Sequence, residues 1–211
     1  MIQLLFIRIE YNPMRAGHAR TLKFVLGLIA CLPLVSVMAD DLCKMQINQP
    51  ALDFGNFNAG ELTSKSSMLD NASLGKRPLQ LSVVCPAPAK MALTFHGLAV
   101  GSRGFSMGDL GSFTLTLRDA RLDGVQVFLG QVSRTDEVPL SVQDTARLQP
   151  NSYVVPSASG RLAEGKVLTV TVEIEAQVKA EARKTRDKLV LDGDGQFEVI
   201  TSVRNTTQGT L

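Results

Sequence analysis

The chain has 211 residues, with 22 basic and 20 acidic side chains, a net charge of +2, 45% hydrophobic residues and no tryptophan. That length suits one domain with a sizeable core. The near-neutral balance excludes a surface built to neutralise nucleic-acid phosphates.

Residues 1–39 read as a secretory leader. The basic stretch Met14-Arg15-Ala16-Gly17-His18-Ala19-Arg20 leads through Thr21-Leu22-Lys23 into an apolar run from Phe24 to Val35. Val37 and Ala39 then stand at the −3 and −1 positions of a cleavage site, ahead of Asp40 and Asp41. A positive head, a short apolar run and small or apolar residues before the cut define a signal peptide. The run is shorter than the roughly 20 apolar residues of a membrane span. Residues 1–13 form an extra head, and Met14 is an alternative initiator. Leu28-Ile29-Ala30-Cys31 matches a lipoprotein cut. However, Leu32-Pro33-Leu34-Val35 stays apolar beyond it, so cleavage after Ala39 is favoured.

Cleavage there removes Arg8, Arg15, Arg20, Lys23 and Glu10, leaving 18 basic and 19 acidic residues. No second long apolar stretch follows, so the mature chain is expected to carry no transmembrane span. The expected localisation is export to the periplasm, and from there to the cell surface. Cys43 and Cys85 are the two cysteines left. In an oxidising compartment they are expected to form one disulfide. Closing a loop of about 40 residues contributes roughly 4 kcal/mol in the chain-entropy picture.

Residues 40–204 carry period-two alternation in short runs. Leu79, Leu81, Val83 and Cys85 share one face, with Gln80 and Ser82 between them. The partner of Cys85 is therefore expected across the core. After a turn at Pro86-Ala87-Pro88 come Met91, Leu93 and Phe95. Phe113, Leu115 and Leu117 alternate with Thr114, Thr116 and Arg118. Val125 and Val127 follow the turn Leu122-Asp123-Gly124. The longest run is Leu168, Val170, Val172, Ile174, Ala176 and Val178, interleaved with Thr169, Thr171, Glu173, Glu175 and Gln177. The charged run Lys179 to Lys188 has no apolar face and reads as a solvated loop, with a brief helix as the alternative. The last strand carries Phe197, Val199, Thr201 and Val203, entered by a turn at Asp192-Gly193-Asp194-Gly195. The tail, residues 205–211, is polar. Strands punctuated by Gly, Pro and Asp predict an all-β antiparallel sandwich with one wet and one core face per sheet.

No catalytic constellation is present in the sequence, and enzymatic activity is not expected. His96 is the only histidine after Ala39, so a Ser-His-Asp triad or a histidine metal site would rest on it alone. Asp192-Gly193-Asp194-Gly195 lacks the later acidic ligands of a calcium loop. Gly101-Ser102-Arg103-Gly104 precedes no helix that would cradle a phosphate. No metal or cofactor is expected. Tyr153, in Pro150-Asn151-Ser152-Tyr153-Val154-Val155-Pro156, is the one surface candidate for partner contact. The plainer reading is a half-buried tyrosine in a turn-rich loop.

Several segments resemble the subunits of chaperone–usher pili. They are Cys43, then Leu52-Asp53-Phe54-Gly55-Asn56-Phe57, Leu79-Gln80-Leu81-Ser82-Val83-Val84-Cys85 and Met91-Ala92-Leu93-Thr94-Phe95-His96-Gly97. Leu74-Gly75-Lys76, Phe105-Ser106-Met107-Gly108, Gly111-Ser112-Phe113 and Leu191-Asp192-Gly193 are similar to a fimbrial-like family of secreted Gram-negative proteins. The resemblance covers most of residues 43–203. It implies an incomplete immunoglobulin-like sandwich lacking its last strand, with an apolar groove lined by Met45, Ile47, Phe197, Val199 and Thr201. A neighbouring subunit, a periplasmic chaperone or the usher would be the partner by strand addition, in a surface fibre used for adhesion. The alternative is a stand-alone periplasmic or surface binding module with a complete sandwich. Two features depart from the family. Only Asp40-Asp41-Leu42 would precede Cys43 after cleavage, so the mature chain is expected to accept a strand but not to donate one. The C-terminal aromatic residue common in pilins is replaced by Gln208-Gly209-Thr210-Leu211.

Overall fold

The computed structural model describes residues 2–9, 43–57, 71–184 and 189–203. The apolar run of the leader, Cys31, the cleavage site at Ala39, residues 185–188 of the charged run and the tail lie outside the described residues.

The fold is an antiparallel β-sandwich whose two layers share one bent strand. In chain order the first strands are β1 (Ile2–Ile9), β2 (Lys44–Ile47), β3 (Ala51–Leu52), β4 (Asn56–Phe57) and β5 (Ala72–Gly97). Next come β6 (Ala99–Val100), β7 (Gly104–Met107), β8 (Gly111–Leu122), β9 (Val125–Gln126) and β10 (Phe128–Val132). The chain continues with β11 (Thr145–Leu148), β12 (Tyr153–Ala158), β13 (Arg161–Leu162), β14 (Glu164–Val178) and β15 (Leu189–Val203).

The first half of β5 pairs with β14 on one side and, at Leu81–Val84, with β2 on the other. β14 pairs in turn with β8, and β8 with β7, β9 and β11. The second half, Ala89–Gly97, pairs with β15 and touches β12 at Leu93. β10 and β13 extend that layer through β12.

The layers exchange at Pro86-Ala87-Pro88. There β5 advances from Val84 to Ala89 while β14 moves only from Val167 to Gly165. The prolines lack the N–H that a ladder needs, so the strand bulges and bends. The expected turn is therefore a crossing point inside one strand.

The alternation expected from sequence is realised in β8 and β14. Phe113, Leu115 and Leu117 are buried, as are Leu168, Val170, Val172, Ile174, Ala176 and Val178. An aromatic cluster around Phe95 joins the two layers, with Phe105 and Phe113 from β7 and β8 and Phe95 and Phe197 from β5 and β15. The Phe95 ring lies 4.7 Å from Phe105, 4.9 Å from Phe197 and 6.0 Å from Phe113, each edge-to-face, the favoured geometry for ring quadrupoles.

Three local expectations are corrected. Val125 and Val127 do not share a face: Val127 is buried while Val125 is 68% exposed; β9 ends at Gln126, although the Val127 N–H still bonds the Ala120 carbonyl. The charged run opens with a 3-10 helix, Ala180–Lys184, whose Ala182 is buried, so it has one small apolar contact where a loop was expected. Asp192-Gly193-Asp194-Gly195 is not a turn; it continues β15 in extended form.

Candidate strand-acceptor seam

Cys43 and Cys85 are joined by a disulfide. Lys44 stands opposite Val84 in the ladder, so Cys43 falls beside Cys85 with their Cα atoms 4.1 Å apart. The bridge thus fastens neighbouring strands of one layer, whereas alternation alone suggested a link across the core. It anchors β2 just before the chain changes layers. The pairing with β5 ends at Ile47, with a last bond from the Asn48 N–H to the Gln80 carbonyl, and β3 and β4 then belong to the other layer, where they pair with β1.

The two edges of β15 are treated differently. Gly195–Val203 pairs with β5. On its other edge Leu189–Gly195 pairs with β1, and that pairing is parallel. Among the described residues from Cys43 onward, none pairs with this outer edge. That edge is occupied instead by residues 2–9, far upstream of Cys43 in the chain. β1 lies between β15 on one side and β3 and β4 on the other.

β15 approaches its core closely in this stretch, and its glycines make that possible. A Cβ on Gly193 would come within 3.0 Å of the Ser106 carbonyl and 3.1 Å of the Phe113 ring. One on Gly195 would stand 2.6 Å from Phe95 Cε1 and 2.7 Å from the His96 carbonyl. A glycine in a strand often marks such an approach, and here the rings beneath occupy the space a side chain would take. Leu191 fills the same inward row and is buried, while Val190 is 48% exposed.

The five residues assigned to the groove fall into two groups. Met45 and Ile47 lie on β2, buried and half-buried respectively; Phe197 is buried on β15, and Val199 and Thr201 are half-buried there. β2 and β15 both pair with β5, but on different halves, so the two groups sit in different layers and no ladder joins them. Sequence reasoning missed the stretch that β1 occupies: Leu189–Gly195 on one side, Ala51–Leu52 and Asn56–Phe57 on the other. The signal was present in Ile2-Gln3-Leu4 and Ile7-Arg8-Ile9, two apolar–polar–apolar triplets.

His96 Nε2 lies 2.6 Å from Glu198 Oε2, and both residues are largely exposed. Lys76 Nζ lies 2.8 Å from Glu173 Oε1 and 3.9 Å from Glu175 Oε2. The hydrogen bond to Glu173, then the charges of Glu173 and Glu175, hold the Lys76 ammonium above its ordinary 10.5. Asp123 has φ of +51°, and its carboxylate accepts the N–H groups of Lys166 and Val167 at 2.8–3.2 Å. It pins the β8–β9 turn to the start of β14. Gly101 has φ of +62° and turns the chain between β6 and β7. Tyr153 is half-buried against a small cluster of Ala92, Val132 and Val155, but it opens β12 and pairs with Val132, where the plainer reading expected a loop. No group of three or more His, Cys, Asp or Glu residues suits a metal among the described residues. No described helix is long and apolar enough to cross a membrane.

Neither a scan against protein-family models nor a search of curated proteins finds a match for this chain.

Proposed function

We propose that this protein is an exported strand-acceptor subunit, a structural or tip component of a chaperone–usher surface fibre involved in adhesion. The observation that carries this reading is the outer edge of Leu189–Gly195, whose ladder partner comes from residues 2–9. If the leader is cut after Ala39, the mature domain loses that partner. It is left with an unpaired edge over an aromatic core, which needs a strand from another chain. The disulfide supports the same reading by suiting an oxidising compartment. The immunoglobulin-like, pilin-like pattern of the resemblance adds chaperone, usher and neighbouring subunit as partners.

The second reading, a stand-alone binding module, is favoured by the same strand seen differently. A chain that keeps residues 2–9 closes its own seam and needs no partner.

Mass spectrometry of the exported protein separates the two. An N-terminus at Asp40, together with a rise in soluble yield on co-expression with a periplasmic pilus chaperone, supports the fibre subunit. An N-terminus that retains residues 2–9, with a yield indifferent to the chaperone, supports the module and refutes the fibre.

A further inference from the structure

We propose that Ile2–Ile9 is a built-in occupant of the seam, recognised in one bulged parallel register, and that the seam stays closed for as long as this segment remains attached. The inference rests on reading the outer edge of β15 as a strand acceptor. It adds which strand that edge is shaped for and how the register is chosen.

The register is uneven. Ile2, Gln3 and Leu4 stand opposite Leu189, Val190 and Leu191; Ile7, Arg8 and Ile9 stand opposite Gly193, Asp194 and Gly195. Three steps along β1 match two along β15, so one extra residue of β1 is accommodated opposite Asp192. Side chains alternate faces along a strand, and a one-residue slip exchanges the faces. With the bulge, Ile2, Leu4, Ile7 and Ile9 occupy positions opposite the inward row of β15, which holds buried Leu191 and Gly193. Gln3 and Arg8 occupy positions opposite exposed Val190 and Asp194. Without it, continuing from Leu4, Arg8 would fall opposite Gly195 in the inward row, above the Phe95 ring. A charged group at that position would stand over the ring where the bulged register places an isoleucine position. The bulge therefore puts the Ile2, Leu4, Ile7 and Ile9 positions on the inward row and the Gln3 and Arg8 positions on the other.

Gly193 and Gly195 fix the acceptor side of this match. The rings of Phe113 and Phe95 take the volume that inward side chains of β15 would fill. The apolar content of the outer edge beyond Leu191 must therefore come from the added strand. Asp194, which is exposed, stands opposite the Arg8 position in the ladder. A β-bulge is a specific feature of a strand pair rather than a defect. A segment whose composition changes phase where the backbone changes phase is matched to its acceptor along its length.

The test uses the uncleaved 211-residue chain, produced without export and with Cys31→Ser to remove the spare thiol. Adjacent strands lie about 4.8 Å apart, within the reach of a disulfide. The cysteine pairs Q3C/V190C and R8C/D194C should both cross-link on mild oxidation. I7C/D194C, the pair that an unbulged register would bring together, should not. A one-residue offset adds about 3.3 Å and turns the two Cβ atoms to opposite faces. Cross-linking of I7C/D194C in place of R8C/D194C, or failure of both native-register pairs, overturns the proposal.

A second arm keeps the seam itself under test. L4D/I7D in the full chain should displace β1 and lower the melting temperature, and a synthetic peptide of residues 1–10 should restore it. If the peptide restores stability while the cross-links report another register, strand acceptance stands and the bulged match fails. If the native-register cross-links form but no added peptide is taken up, the register stands and strand acceptance from another chain fails.

Discussion

Opening the Cys43–Cys85 bridge should cost about 4 kcal/mol of stability, and the figure follows from its place in the chain. The two cysteines are 42 residues apart. Loop-closure entropy in the unfolded chain then gives about 13 cal/mol/K, or about 4 kcal/mol at 25 °C. Little native-state loss should add to this, because β2 remains paired with β5 from Lys44 to Ile47 and Cys85 keeps its buried position. Reduction is the cleaner perturbation, since it removes one bond and leaves every other atom in place. The assay is urea unfolding of oxidised and phosphine-reduced protein, followed by circular dichroism. With a slope near 2 kcal/mol per molar, the midpoint should fall by roughly 2 M. A loss below about 1 kcal/mol would refute the reasoning, because the freed loop would then have gained no freedom in the unfolded state. A rise in the slope would locate the effect in a more expanded unfolded chain.

Other expectations follow from single contacts. Gly195→Ala should destabilise by about 1–3 kcal/mol through overpacking against Phe95, read as a shift in the urea midpoint; Phe95→Leu in the same chain should recover part of the loss. Phe95→Ala alone should cost about 3–5 kcal/mol, because it opens a cavity among the three rings of Phe105, Phe113 and Phe197. Asp123→Ala should cost about 1–2 kcal/mol as the Lys166 and Val167 N–H groups lose their acceptor. Lys76 has a folded value raised above 10.5 by Glu173 and Glu175. Its contribution is therefore complete below pH 10.5 and is lost as pH climbs through the raised value. Thermal melts between pH 9 and 12 should show a small alkaline decline that is absent in Lys76→Met.

Where residues met a local rule, the sequence was legible. The runs in β8 and β14 alternate with strict period two because one face of each meets the core and the other meets water. Cys43 and Cys85 were readable as a pair because no other cysteine follows the expected cleavage site. Asp192-Gly193-Asp194-Gly195 was misread because Asp-Gly is turn chemistry when judged locally. Its glycines answer instead to Phe95 and Phe113, about 80 to 100 positions earlier in the chain, and no window of sequence contains both. Pro86-Ala87-Pro88 failed in a similar way. Proline signals a break in a ladder, and whether the chain then reverses or bends into a second layer depends on strands not yet made. Ile2–Ile9 escaped notice because its bulge interrupts the period-two pattern and because it stands at the head of a leader-like segment.

The bridge at Cys85 also decides how the domain would carry a load. Tension applied at residue 43 passes through the sulfurs straight into β5, bypassing the loop that the bridge closes. It reaches Ala89, whose ladder partner is Val203, the end of the last described strand. A pull between these points grips two adjacent ends of one antiparallel pair. The hydrogen bonds then part in succession, as in a zipper, and never share the force. Against a rope-like pull along that line the fold is soft, whatever its thermal stability.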